Sequence, residues 1–299
     1  MQIADKYKIV KPLGNHQGRK FGSLFLVADK ATEVMSVMKV VAKDAQSSVA
    51  SERLAAEAQF DFDHDGLPKI MDFYNGDNET ILIRKYVDAE PILDRFEKIK
   101  KRDRHVFLCE ALEKLGEILN HLHEQSIFHC DIKPSNILID ANNEVHLIDF
   151  GLAIQQPLDT SRKLLFPLGY AAPELLLNHL SYVDHRTDYF ALGVTLWRLH
   201  AGKLPLAHPN PSIFTNLQLT HPLPESDMVC RHIQKVLEKM CAKHSFKVPP
   251  NSMEHHEVEI KLKEGIDERY SNFDAFLKDF QEAGNKGLFT KKYRGGTQG

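Results

Sequence analysis

Cysteine is scarce in this chain and shows no pattern. Four residues, Cys109, Cys130, Cys230 and Cys241, are scattered over 299 positions without a C-x-x-C pair. That excludes a dense disulfide framework and leaves free thiols in a reducing, cytoplasmic setting as the expectation. No apolar run approaches the roughly 18 residues that a membrane-crossing helix needs. The opening stretch MQIADKYKIV is too mixed and charged for a signal peptide. Basic excess is missing as well: 38 Lys and Arg face 41 Asp and Glu, for a formal net charge of −3. A nucleic-acid partner is therefore not expected. The basic cluster KIKKRDR at 98–104 reads as a solvated loop or helix face. There is no internal repeat.

What is present is an ordered change of character. Up to residue 87 the pattern favours strands: YKIVKPLG and GSLFLVADK flank a glycine-bearing polar stretch, and EVMSVMKVVAK follows a turn. SVASERLAAEAQF, at 48–60, opens on serine and is rich in alanine, leucine and glutamate, so it predicts a helix. Two further strands are expected at 69–74 and 80–87, separated by the turn NGDN. From about 92 helices take over. RHVFLCEALEKLGEILNHLHEQ places Val106, Leu108, Leu112, Leu115, Ile118, Leu119 and Leu122 on one broad apolar face. The short strands ILID and VHLID follow, then a loop and the helix TDYFALGVTLWRLHAG. The terminal KKYRGGTQG reads as a frayed tail. A small sheet lobe thus precedes a larger helical lobe, an arrangement in which ligands often bind between lobes.

The chemistry concentrates in HCDIKPSNIL, residues 129–138. Asp131 and Asn136 lie five apart in a loop that runs into a strand, and Asp149 follows thirteen residues later, after a hairpin. A hairpin of that length returns the chain and can set Asp149 beside Asn136. A carboxylate and an amide oxygen together suit Mg²⁺, a hard cation that prefers oxygen ligands. Asp131 is then left to orient a hydroxyl and accept its proton. Lys133 can offset charge on a transferring phosphoryl group. Singly, each of these residues could be an ordinary turn former around a proline.

Taken together with HLIDFGLA at 146–153 and GYAAPELL at 169–176, the run resembles the protein kinase family, in particular its Ser/Thr branch. The resemblance extends from about Tyr7 to about Phe280. It implies an α+β, two-lobed protein-kinase-like fold. The N-lobe, 1–87, would be a small antiparallel sheet with one helix; the C-lobe, 88–285, mainly helical; and 286–299 a flexible tail.

It also implies roles for particular residues. Lys39 matches the strand lysine that grips the α and β phosphates of ATP. Its partner would be a helix glutamate: Glu57, eighteen residues on, or alternatively Glu52. Leu13, Gly14, Gly18, Phe21 and Gly22 would form the nucleotide loop, whose glycines let backbone amides approach phosphates. Leu24 and Val37 would roof the adenine and Leu138 would floor it, with hinge backbone from Lys85 to Val87 bonding to it. Asp131 would be the base, with Asn136 and Asp149 holding Mg²⁺, for which Mn²⁺ could substitute. His129 and Asp188 would brace the catalytic loop, and Glu174 would pair with Arg269. Lys133-Pro134 is similar to the Ser/Thr class, so protein hydroxyls are the implied acceptors. No membrane partner is expected, and oligomeric state is left open.

Several positions depart from the family's pattern. The glycines are four apart rather than in G-x-G-x-x-G. Arg84 falls where an apolar gatekeeper is usual, unless the register slips by one. Phe166-Pro167 replaces Gly-Thr before the A-P-E run. Cys130 stands in place of the arginine that would grip a phosphate on the activation segment, where Thr160 and Ser161 lie. Residues 244–265 look inserted before Arg269; His255 and His256 within them, like His121, read as solvated, and His123 as the end of the long helix. The departures keep two alternatives open, a kinase-like nucleotide-binding scaffold with little turnover and a small-molecule kinase. Lys133, the A-P-E run and Arg269 speak against the latter.

Overall fold

The structure, a computed structural model, describes residues 3–13, 22–43, 48–157, 164–246 and 248–294. Gly14, Gly18 and Phe21 of the expected nucleotide loop, and also Thr160 and Ser161, lie outside the described residues. The fold is α+β, an antiparallel sheet region followed by a helical region. Two compact units result, and the chain does not divide at a single point. Residues up to Glu90 join with Leu138–Ala153, while Pro91–Ile137 join with the chain from Ile154 onward. From Leu138 onward, the hairpin of Ile137–Asp140 and Val145–Leu147 belongs with the first unit, where Leu147 N–H donates to Gly66 O at 2.9 Å.

In the first unit, five strands form an antiparallel sheet in the order β1-β2-β3-β5-β4. They are β1 (Tyr7–Leu13), β2 (Ser23–Asp29), β3 (Met35–Ala42), β4 (Ile70–Asn75) and β5 (Glu79–Lys85). Alternation along the strands gives the sheet two apolar faces. Met38, Ile81 and Ile83 pack with Tyr7 and Val27 on one face. Val41 and Leu82, on the other, pack against Leu54 of α1 (Ser48–Glu57). Gly22 enters β2 at φ +87°, and a Cβ there would meet Val40 O at 2.5 Å. Only glycine fits so close an approach.

In the second unit, α2 (Arg104–Glu124) buries Leu108, Leu112, Leu115, Ile118, Leu119 and Leu122 as expected. Val106, placed on the same face from sequence, is instead 56% exposed. Nine residues at about 100° each put it opposite Leu115, and Phe107 takes its place in the core. α3 (His185–Ala201) starts at an Asp184/Thr187 capping box and ends at Gly202 in the left-handed region. α4 (Pro211–Thr220) follows, then α5 (Arg231–Met240), which buries Ile233, Val236, Leu237 and Met240 at helical spacing. α6 (His255–Asp267) and α7 (Phe273–Arg294) complete the unit. The tail expected from 286 is helical as far as Arg294. Extending a helix already anchored by Phe276 and Phe280 costs little compared with starting one. No helix among the described residues is long and apolar enough to cross a membrane.

Candidate active site

The candidate residues form one cluster in each unit. In the first, Lys39 Nζ lies 3.8 Å from Glu57 Oε2 and 3.5 Å from Asp149 Oδ1. Glu57 is 3% exposed, whereas Glu52 faces solvent, so the helix presents Glu57 to the lysine. Burial works against the Lys39 ammonium, but Asp149 and Glu57 outweigh it, and the amine is held above the usual lysine value. Burial also pushes the Glu57 carboxyl up, against the pull of Lys39.

Asp149 is aimed by its neighbours. Phe150, fully buried, packs on Phe62 and Phe60 with ring centroids 4.6 and 5.9 Å away. Asp149 itself has φ +70°. A left-handed conformation at a residue with a side chain costs about 1–3 kcal/mol and persists where the surroundings fix it.

Pairing across the sheet sets Leu13, Leu24 and Val37 on the Lys39 face. Leu13 lies opposite Leu24, and Leu24 opposite Lys39. Val37 lies opposite Arg84, so a charged residue pairs with the expected adenine roof across β3 and β5. The Arg84 charge acts on both Lys39 and Glu57. At the hinge, Lys85 N–H donates to Lys69 O and Tyr86 N–H to Met35 O, at 2.9 and 3.1 Å. The Val87 N–H has no such bond among the described residues. Leu138 is half-buried on the first strand of the hairpin.

The second unit holds the loop. Asp131, 4% exposed, accepts on Oδ2 from Lys133 Nζ at 2.7 Å and from Asn136 Nδ2 at 3.0 Å. Asn136 Nδ2 also donates to Asp131 O at 2.9 Å. The Asn136 amide hydrogens are thus committed to Asp131, while its Oδ1 accepts from Ser135 Oγ at 3.3 Å and keeps a second lone pair for a cation. The Asn136 amide oxygen is a hard donor of the kind that Mg²⁺ takes, and so, within the first unit, is the partly exposed Asp149 carboxylate.

Three buried contacts hold this loop. Asp188, fully buried, accepts the backbone N–H groups of His129 and Cys130 at 2.9 and 2.8 Å, and His123 Nε2 at 2.9 Å. Burial raises the Asp188 pKa, but those donors more than offset it, and the carboxyl lies below its usual range. Cys130 adopts φ +60°, the strained geometry that delivers both amides to one carboxylate. Thr195 Oγ1 donates to Ile132 O at 3.3 Å. Further on, Arg269 binds Glu174 through two bonds of 2.6 and 3.0 Å, with Thr187 Oγ1 at 2.8 Å from the same carboxylate.

Comparison with known proteins agrees with this geometry. A family model described as protein kinase domain matches residues 7–253. The chain belongs to the protein kinase family. Among its relatives are Aurora kinase B of Danio rerio and the Aurora kinase of Saccharomyces cerevisiae. The first is 25% identical over 204 residues, covering 67% of this chain and 62% of the relative. The second is 28% identical over 206 residues, covering 67% and 54%. Aurora kinase of Yarrowia lipolytica is 27% identical over 208 residues, covering 69% and 54%. The matches thus span between half and two thirds of the length of these curated relatives.

Sequence reasoning missed His123, which it placed at a helix end but not on Asp188. The available signal was its position one residue after Leu122, at the edge of the buried face of α2. The contact itself joins residues 65 apart and leaves no local pattern.

Proposed function

We propose that this kinase is active and transfers the γ-phosphoryl group of MgATP to serine or threonine hydroxyls of proteins. The observation that carries the proposal is the 2.7 Å contact of Lys133 with the buried Asp131 carboxylate. A cation fixed beside a carboxylate suits a reaction in which one takes a proton while the other offsets phosphoryl charge. In this reading Asp131 orients the acceptor hydroxyl and receives its proton. Lys39, positioned by Glu57, holds the α and β phosphates. Asn136 and Asp149 hold Mg²⁺, which neutralises charge on the phosphates. Leu24, Val37 and Leu138 enclose the adenine, and Val87 N–H supplies a donor to it. The Ser/Thr choice rests on the Lys133-Pro134 run.

Arg84 favours a second reading, a nucleotide-binding scaffold with little turnover, because its charge competes at Lys39. Radiolabelled ATP, Mg²⁺ and a generic basic protein separate the two. Incorporation on phosphoserine or phosphothreonine supports the enzyme. Nucleotide binding without incorporation supports the scaffold, and incorporation on tyrosine alone overturns the Ser/Thr assignment.

A further inference from the structure

α6 begins at His255, two residues past the end of the family match at 253. Its buried face is nevertheless well placed. Val258 and Leu262 join Leu219 and Phe246 in an apolar cluster that also takes in Leu176 and Leu177, the last residue and C-cap of the short Glu174 helix, Pro173–Leu176. This docking brings the first turn of α6 to His179. One ligand atom each from His179, His255 and Glu259 lies within 4.8 Å of the others.

The geometry is close to that of a bound metal. His255 Nδ1 is 3.4 Å from Glu259 Oε1, one helical turn on. In a tetrahedral site with bonds of about 2.0–2.1 Å, neighbouring ligand atoms stand about 3.3 Å apart. The His179 and His255 rings have centroids 5.0 Å apart. A helical ion pair alone would explain the 3.4 Å contact but not the third ligand-type group brought in from another segment. The His179 backbone is fixed, since its N–H donates to Glu174 O at 2.9 Å and its carbonyl accepts from Tyr182 N–H at 3.0 Å. His255 is 76% exposed on its side chain and is able to rotate to close the remaining gap.

We propose that His179, His255 and Glu259 bind one divalent ion of the zinc type, which clamps α6 to the turn after the A-P-E helix. Two imidazoles and one carboxylate select zinc and its neighbours rather than magnesium, and water completes the shell. The ion is separate from the Mg²⁺ assigned to Asn136 and Asp149, and the clamp does not depend on phosphoryl transfer.

The test uses the full chain, freed of metal by chelation and titrated with Zn²⁺ against a chromophoric competitor. One equivalent should bind. His255→Ala and Glu259→Gln should each weaken that affinity at least tenfold, while His256→Ala should leave it unchanged. Zinc should raise the melting temperature of the wild-type and His256→Ala chains but not that of His255→Ala. Without metal, all of these chains should melt together, which separates lost binding from lost folding. Absence of stoichiometric uptake at micromolar zinc overturns the proposal. So does wild-type affinity in both ligand variants.

Discussion

Arg269 meets Glu174 as a two-pronged pair, at 2.6 and 3.0 Å, with side chains only 1% and 0% exposed. Arg269 Nε also donates to Ala242 O at 3.0 Å, so one guanidinium ties the Glu174 helix to the segment after α5. Removing one partner strands a buried charge. Arg269→Ala should therefore cost about 3–5 kcal/mol in urea unfolding, and the double replacement with Glu174→Ala less than the sum of the two singles. Additive losses would mean that the two residues act independently.

The Asp188 carboxyl predicts an acid dependence. Its folded pKa is lowered, so its contribution is fully present above the unfolded value near 3.8 and is lost as pH falls through the folded one. Asp188→Asn should destabilise the chain at pH 7 by about 1–3 kcal/mol. The variant should also show a shallower loss of stability below pH 4 than the wild type. Denaturant curves at several pH values measure both, and parallel acid limbs would contradict the assignment.

Arg84 holds down the pKa of Glu57 through its charge. Replacing it by methionine should let Glu57 rise further, so the acid limb of kcat/KM moves to higher pH. The same substitution relieves the repulsion at Lys39. An unchanged pH profile would show that the Arg84 charge does not reach the ion pair during turnover.

Cys130 occupies an apolar cluster with Phe128, Ile154, Ala171 and Leu175, against which Leu164 and Phe166 also pack. Burial, with Asp188, Glu174 and Asp131 nearby, pushes its thiol far up, so it is neither a phosphate ligand nor a reactive thiolate. The segment before the A-P-E run is held here by apolar contact. Replacing Thr160 and Ser161 together by alanine should thus leave activity within about twofold, since a cysteine stands at position 130 in place of the arginine that would grip a phosphate. A collapse of the rate would refute this.

Sheet and helices were legible because burial follows the periods of strand and helix: Val41 and Leu82 on one sheet face and Met38 and Ile81 on the other, Leu108 and Leu115 on one face of α2. The resemblance singled out Lys39, Glu57, Asp131, Asn136 and Asp149, and the structure groups them as Lys39–Glu57–Asp149 and Asp131–Lys133–Asn136. What escaped was long-range or marginal. His123 finds Asp188 across 65 residues. Val106 sits at a helix start, where one residue of phase decides exposure. His255 looked solvated because nothing in its own segment points to His179, which only the docking of α6 brings near.

The central claim is that Asp131, held by Lys133 and Asn136, serves phosphoryl transfer. The most direct measurement is the rate of phosphate incorporation from MgATP by wild type and by Asp131→Asn, with nucleotide affinity determined for both. The account predicts transfer by the wild type, a loss of about 10²-fold or more in the variant, and nearly equal nucleotide affinity. Equal rates in the two chains would contradict it.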